Sequence, residues 1–185
     1  MPLWHWRKKE WDSVSTIFAT ELLLERLHAE NIEEAIRLAE EIFPHDISHL
    51  ESPGIEYRAS LNPELYSSEL ATLGLDFQQH WVLQTGERAV ALTGLQHKIG
   101  DLPHIVWLGW FCVAASERRR KLGSRLLRWT TEVARALGYR EMRLWTTTLA
   151  EESQAQVLYE RFGFRIFCEE VEFDGTRRLY RTCSL

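Results

Sequence analysis

The chain has 185 residues, 45% of them apolar and 26% charged, with a formal net charge of −5. That length suits one domain with a full hydrophobic core, and the composition excludes a low-complexity or disordered chain. No apolar run approaches the ~20 residues that a bilayer span needs, and Cys112, Cys168 and Cys183, an odd number with no CxxC pair, argue against a disulfide scaffold.

Charge is divided unevenly. Residues 1–90 hold 16 acidic and 7 basic side chains and residues 91–185 hold 11 and 15, so the halves carry −9 and +4. A basic half facing a polyanion and an acidic half facing a cation fit that division, although acidity also serves solubility alone. The opening MPLWHWRKKEW has no apolar h-region and predicts no secretory leader. With cysteines read as reduced thiols, the expected location is cytoplasmic. Residues 1–19 carry Trp4, Trp6 and Trp11 among charged neighbours and read as an extension to a single domain over 20–185. They could dock on the domain, stay mobile or join a dimer contact, which leaves a homodimer open.

The first strand is expected over Glu21–His28. Asn31 then caps a helix, with Glu34 at the capping-box position and Ile32, Ala35, Leu38, Ala39 and Ile42 as its apolar stripe; Pro44 ends it. Residues 45–60 read as a polar connection, in which His45, Asp46 and His49 lack a third strong ligand at a characteristic spacing, so no metal is expected. Asn62-Pro63 opens a second short helix, closed by Gly74. Strands follow over His80–Thr85 and Ala89–His97 about a Gly86-Glu87 turn, and then over Ile105–Ala114. The last is apolar almost throughout, as in a strand buried on both faces. Its Trp107 and Trp110 read equally well as core rings or as the border of a cavity.

The stretch from Ile105 to Leu137 is the most informative. A buried-type strand runs into a turn carrying Arg118, Arg119, Arg120 and Lys121, then Leu122, Gly123 and Ser124. A helix follows with its stripe at Leu122, Leu126, Thr130, Val133, Ala134 and Leu137. The first N–H groups of a helix lack partners and its dipole favours negative charge there, so strand, basic turn and helix together predict an anion site, most simply for a phosphate ester. Gly123, without a side chain, would let a phosphate lie close to the backbone. Both GxxxxGK[ST] and GxGxxG are absent. Alone, four cations would read as a solvated face or a nucleic-acid patch. Their place between strand and helix, with a second motif downstream, favours the phosphate reading, so neither nucleic acid nor membrane is an expected partner.

A strand is expected over Glu141–Thr147, a helix over Glu151–Phe162 closed by Gly163, and two strands, Phe164–Phe173 and Thr176–Cys183, about a two-residue Asp174-Gly175 turn.

Two of these segments resemble signatures of the GNAT superfamily of acetyl-CoA-dependent N-acetyltransferases. Arg118-Arg119-Arg120-Lys121-Leu122-Gly123 resembles [QR]xxGx[GA], with Lys121 at the central glycine. Ala155, Leu158, Tyr159, Gly163 and Phe164 match NxxAxxLYxxxGF, with Glu152 at the asparagine that commonly contacts the pantetheine arm. The resemblance implies an α/β (α+β) fold: a mixed, mostly antiparallel sheet of six to seven strands with helices on both faces. Its central parallel strands, Ile105–Ala114 and Glu141–Thr147, would splay to admit acetyl-CoA.

By resemblance, Phe111, Cys112 and Val113 present backbone groups to the thioester and pantetheine, and Arg118–Ser124 grip the pyrophosphate. Acceptor selection falls among His45–Tyr66. Transfer from a thioester to an amine needs a neutral nucleophile, a stabilised oxyanion and a proton for the departing thiolate. Tyr159, a phenol of reference pKa ~10, suits the last role. Some relatives carry a glutamate on the strand before the basic turn; here Trp107 stands at that position, and His104 is a candidate base. Cys112 has no partner base in view and reads as a buried strand thiol. The expected activity is direct acetyl transfer to a primary amine of a small molecule, protein or peptide, without a metal. The rival is a non-enzymatic acyl-CoA-binding or interaction module, suggested by Lys121 and Glu152.

Overall fold

The computed structural model describes residues 23–43 and 52–185. Its strands are β1 (Leu24–Arg26), β2 (Leu75–Thr85), β3 (Arg88–Lys98), β4 (Ile105–Val113), β5 (Glu141–Thr147), β6 (Arg165–Val171) and β7 (Arg177–Ser184). Its helices are α1 (Ile32–Ile42), α2 (Pro53–Leu61), α3 (Ser67–Thr72), α4 (Leu122–Ala136) and α5 (Ser153–Arg161), with 3₁₀ turns at Ala115–Glu117 and Ala150–Glu152. The strands form one sheet in the order β1-β2-β3-β4-β5-β7-β6. Every described neighbour pair is antiparallel except β4 with β5, so the expected mixed, mostly antiparallel sheet is present.

Alternation along the strands places two cores on opposite faces. Trp81, Leu95 and Val106 join Leu127, Trp129, Val133, Met142, Leu144 and Tyr159 under α4 and α5. Their neighbours Val82, Leu92 and Cys112 join Ile32, Ala35, Ile36, Ala39 and Tyr57 under α1 and α2. The stripe expected on α4, Leu122 through Leu137, is buried at every named position. Helices therefore cover both faces, as a half-apolar helix and a two-sided strand require.

Local chemistry departs from expectation at four places. Asn31 precedes α1 but its side chain does not cap it. Its Oδ1 accepts from the His28 N–H at 2.8 Å and its Nδ2 donates to the Arg26 carbonyl at 3.0 Å, so the amide closes the β1–α1 turn instead. The stretch read as a connection contains α2, started by Ser52, whose Oγ accepts from the Ile55 N–H, with Pro53 in the first turn. The helix expected from Asn62-Pro63 begins only at Ser67, after a turn in which Leu65 N–H and Tyr66 N–H both bond the Asn62 carbonyl. The last hairpin has three loop residues, not two: Glu172 N–H pairs with the Thr176 carbonyl at 2.7 Å and Gly175 takes φ 85°. A left-handed residue closing a three-residue loop is the glycine's task there. Residues 1–22, which include the Trp-rich stretch, and His45, Asp46 and His49 lie outside the described residues.

Candidate active site

The site begins with how β4 meets its neighbours. It pairs with β5 only through Ile105–Glu141, Val106–Met142 and Trp107–Arg143. Both strands continue, β4 to Val113 and β5 to Thr147, without pairing each other. On the other side, β4 follows β3 with a register shift between Gly94–Gly109 and Leu92–Cys112. One β3 residue, Thr93, is thereby opposed by two on β4, Trp110 and Phe111, and Trp110 takes φ 40°. This is a β-bulge, which bends a strand and increases its twist. It lies just beyond the point where β4 leaves β5, and the bend it imposes contributes to the opening. Beyond Trp107, β4 has no strand partner toward β5, which frees backbone polar groups there for a ligand.

The basic turn stands at the end of this strand. Arg118 Nε donates to the Val113 carbonyl at 3.2 Å, tying the turn to β4. Arg119 and Lys121 both adopt left-handed backbone, φ 61° and 60°. Lys121 is the residue before α4 and provides no side-chain cap, and the first turn holds no acidic residue. Glu117 is engaged by Arg120 at 2.6 Å. Uncapped amides, a helix dipole and four cations make a fitting site for a phosphate or pyrophosphate. A Cβ built at Gly123 would meet Leu158 at 3.6 Å and Val113 at 3.9 Å, ordinary contacts, so packing against α5 and β4 does not by itself require the glycine.

Tyr159 lies across the opening on α5, 5% exposed. Its ring centroid is 6.0 Å from that of Phe111 and 5.8 Å from that of Phe164. Burial, with the Glu152 carboxylate and Cys112 adding to it, raises its pKa above the ordinary phenol value, while Arg181 opposes the shift. The phenol therefore keeps its proton until a strong base forms beside it. Cys112, on the opposite face, is pushed up to about 12 by burial and stays a thiol, as its reading as a buried strand residue requires. Trp107 is buried, with its Nε1 donating to Asp101 at 2.6 Å and the Lys98 ammonium 3.9 Å above its ring. Trp110 packs edge-on to Phe43 at 5.4 Å. His104 is exposed at the start of β4, where β4 and β5 are still joined. Five strand residues, Ile105 to Gly109, stand between it and the bulge, a span of about 20 Å.

A family model for the "Acetyltransferase (GNAT) domain" matches residues 76–166, from β2 into β6. The chain belongs to the GNAT superfamily. No curated protein matches its sequence. Among solved structures, an aminoglycoside 6'-N-acetyltransferase complexed with coenzyme A is 13% identical, with TM-score 0.66, covering 88% of this chain and 97% of that one. An aminoglycoside 6'-N-acetyltransferase from Enterococcus faecium gives 0.63 at 13% identity, over 88% and 97%. An N-acetyltransferase from Staphylococcus aureus Mu50 gives 0.65 at 13% identity, over 87% and 96%. At these identities the likeness is one of GNAT fold.

Within the GNAT frame, two features were invisible in the sequence. Glu152, at the motif's asparagine position, accepts from the Thr147 N–H at 3.0 Å and from its hydroxyl at 2.5 Å, while Gln156 donates to the Thr147 carbonyl at 2.7 Å. The end of β5 is thus held to α5 and away from β4. Arg181 is 2% exposed and reaches Gln156 and Glu160, which brings a buried cation into Tyr159's surroundings. Nothing in the local sequence around β7 announced it.

Proposed function

We propose that this GNAT protein transfers an acetyl group from acetyl-CoA to a primary amine by direct attack on the thioester. The observation that carries the reading is the parting of β4 from β5 after Trp107 and Arg143, with a cationic helix start at its rim and Tyr159 in its wall. Arg118, Arg119, Arg120, Lys121 and the amides of Leu122, Gly123 and Ser124 would hold the phosphates. The backbone groups of Phe111, Cys112 and Val113 that face away from β3 would hold the pantetheine arm and the thioester oxygen. Acetyl-CoA supplies an acyl carbon already activated by sulfur.

The chain's part is then to bind, aim and manage protons. Backbone N–H groups aimed at a developing oxyanion stabilise it more than the ground-state carbonyl, which lowers the barrier. Tyr159 is proposed to give its proton to the departing thiolate, and its raised pKa keeps it protonated beforehand. A buried phenol between aromatic rings also excludes water that would hydrolyse the thioester. The proposed acceptor is an amine on a small molecule, the kind of substrate named for two of the neighbours. No described helix is long and apolar enough to cross a membrane. The test is thiol release from acetyl-CoA over a panel of amines, with product mass spectrometry and calorimetry of CoA binding. Acetylated product with one or more amines is expected; binding without release on any amine would replace the enzyme with an acyl-CoA-binding module.

A further inference from the structure

We propose that Glu56, on α2, is the carboxylate that receives the incoming ammonium group and removes its proton. This rests on the transferase reading above.

Glu56 is 6% exposed, an unusual place for a carboxylate, since burying one is costly without hydrogen bonds or a task. It lies under α2, on the face of the sheet opposite α4, α5 and Tyr159. Its place is fixed by side chains from two strands. Gln78 of β2 donates to the Glu56 carbonyl at 2.8 Å, and Gln96 of β3 donates to its carboxylate. Gln96 is paired with Trp107, the last β4 residue in register with β5.

Gln96 can lie flat over β4 only because Gly109 has no side chain: a Cβ there would fall 2.8 Å from its Cδ. Gly109 is paired with Gly94, and a Cβ at Gly94 would collide with the His80 ring, 2.7 Å from its Cε1. Two facing glycines therefore clear a shallow trough across β3 and β4. His80 and Gln96 fill it, and Gln96 joins the Glu56 carboxylate to the segment of β4 that has parted from β5 after Trp107. An acid on one face, Tyr159, and a carboxylate on the other bracket the opening.

Among the described residues, the titratable groups nearest Glu56 do not suit the role. Tyr57 is fully buried and its pKa is raised well above normal, so it stays protonated. His80 is 1% exposed and held near pKa 3 by burial, so it does not accept a proton near neutrality. On α1, Glu40 approaches Gly54 rather than β4, and Glu33 is paired with Arg58.

The proton balance closes. An ammonium proton moves to the Glu56 carboxylate, leaving a neutral amine and a neutral carboxylic acid. The amine lone pair forms the C–N bond at the thioester carbon, the C–S bond breaks, and the thiolate takes the Tyr159 proton. The second amine proton, lost as the amide forms, restores Tyr159, and Glu56 returns its proton to solvent. One ammonium and one thioester give one amide, one thiol and one released proton.

The experiment compares the full-length protein with Glu56→Gln, which keeps shape and the amide partners but cannot accept a proton. Two acceptors are used: the best alkylamine of the panel, and a hydrazide, already neutral at pH 7. For the alkylamine, Glu56→Gln is expected to lower kcat/KM by about 100-fold, with unchanged CoA affinity and melting temperature. Its residual rate should rise about tenfold per pH unit toward the alkylamine pKa, near 10. For the hydrazide, wild type and variant should agree within threefold. Equal loss on both acceptors, or no loss on either, would overturn the assignment. Glu56→Asp, which keeps a carboxylate one methylene shorter, should regain part of the alkylamine rate, and no regain would count against a proton-accepting role. A wild-type protein that releases no thiol with any amine overturns the transferase reading itself, whereas an active wild type with a fully active Glu56→Gln overturns only Glu56.

Discussion

Glu152 and Thr147 are joined twice, carboxylate to backbone N–H at 3.0 Å and carboxylate to hydroxyl at 2.5 Å. The bonds hold the end of β5 against the start of α5, so the opening beside β4 is built into the fold. A hydrogen bond to a charged group contributes about 1.5–3 kcal/mol, and losing the acceptor strands a strand-end N–H. Glu152→Ala should lower stability by about 2 kcal/mol in urea unfolding, and Glu152→Asn, which keeps one acceptor, by about half of that. An Ala variant as stable as wild type would show that β5 is held by other contacts.

Tyr159→Phe removes one hydroxyl and leaves the ring against Phe111 and Phe164. Turnover should fall roughly ten- to a thousandfold with CoA affinity nearly intact, the split expected of a group acting only after binding. Because burial raises this phenol, wild-type turnover should show no decline from its ionisation as pH rises through about 10. Unchanged turnover in the variant would remove Tyr159 from the mechanism.

Arg118 lies in the turn that leads into α4, and its Nε donates to the Val113 carbonyl. Arg118→Glu should weaken CoA binding by tenfold or more at low salt, roughly the loss of one charge-assisted contact plus a new repulsion. Saturated turnover should change less. Calorimetry showing equal affinity would return the cations to an ordinary solvated surface.

Lys121 holds φ 60° without being a glycine. A side chain in left-handed backbone costs roughly 1–2 kcal/mol, and glycine avoids it at some cost in unfolded-chain entropy. Lys121→Gly, restoring the residue of the family motif, should therefore leave stability unchanged or raise it by up to about 1 kcal/mol, read from the unfolding midpoint. It should also weaken CoA binding by the loss of one cation. A clear loss of stability would mean that the side chain makes a needed contact.

His80 gives the protein an acid limit. Its folded pKa, about 3, lies below the unfolded value of 6.5, so below pH 6.5 the unfolded chain binds a proton that the folded chain refuses. The neutral form's stability is fully present above pH 6.5 and is lost as pH falls toward 3. Between pH 6.5 and 5, above most carboxylate titration, unfolding free energy should drop by about 1.4 kcal/mol per unit at most. His80→Gln should flatten that slope. A wild-type slope near zero in this window would show that His80 takes up its proton in the folded state.

What the sequence determined by itself is whatever short-range chemistry encodes. The apolar stripe of α4, the two-sided apolar run of β4, the basic turn between them and the α5 signature ending at Gly163 were legible because each is a local pattern with a local cause. The order of elements and the family followed from them. The sequence could not show where β4 parts from β5, because pairing length depends in part on a bulge at Trp110 and on Glu152 reaching Thr147, contacts between segments dozens of residues apart or within a turn of unknown path. Nor could it single out Glu56. In the chain that residue is one carboxylate in a polar stretch read as a connection; only folding joins its carboxylate to Gln96, which lies over Gly109, and its carbonyl to Gln78. Burial, which depends on every layer of the protein at once, turns an ordinary acid into a candidate base.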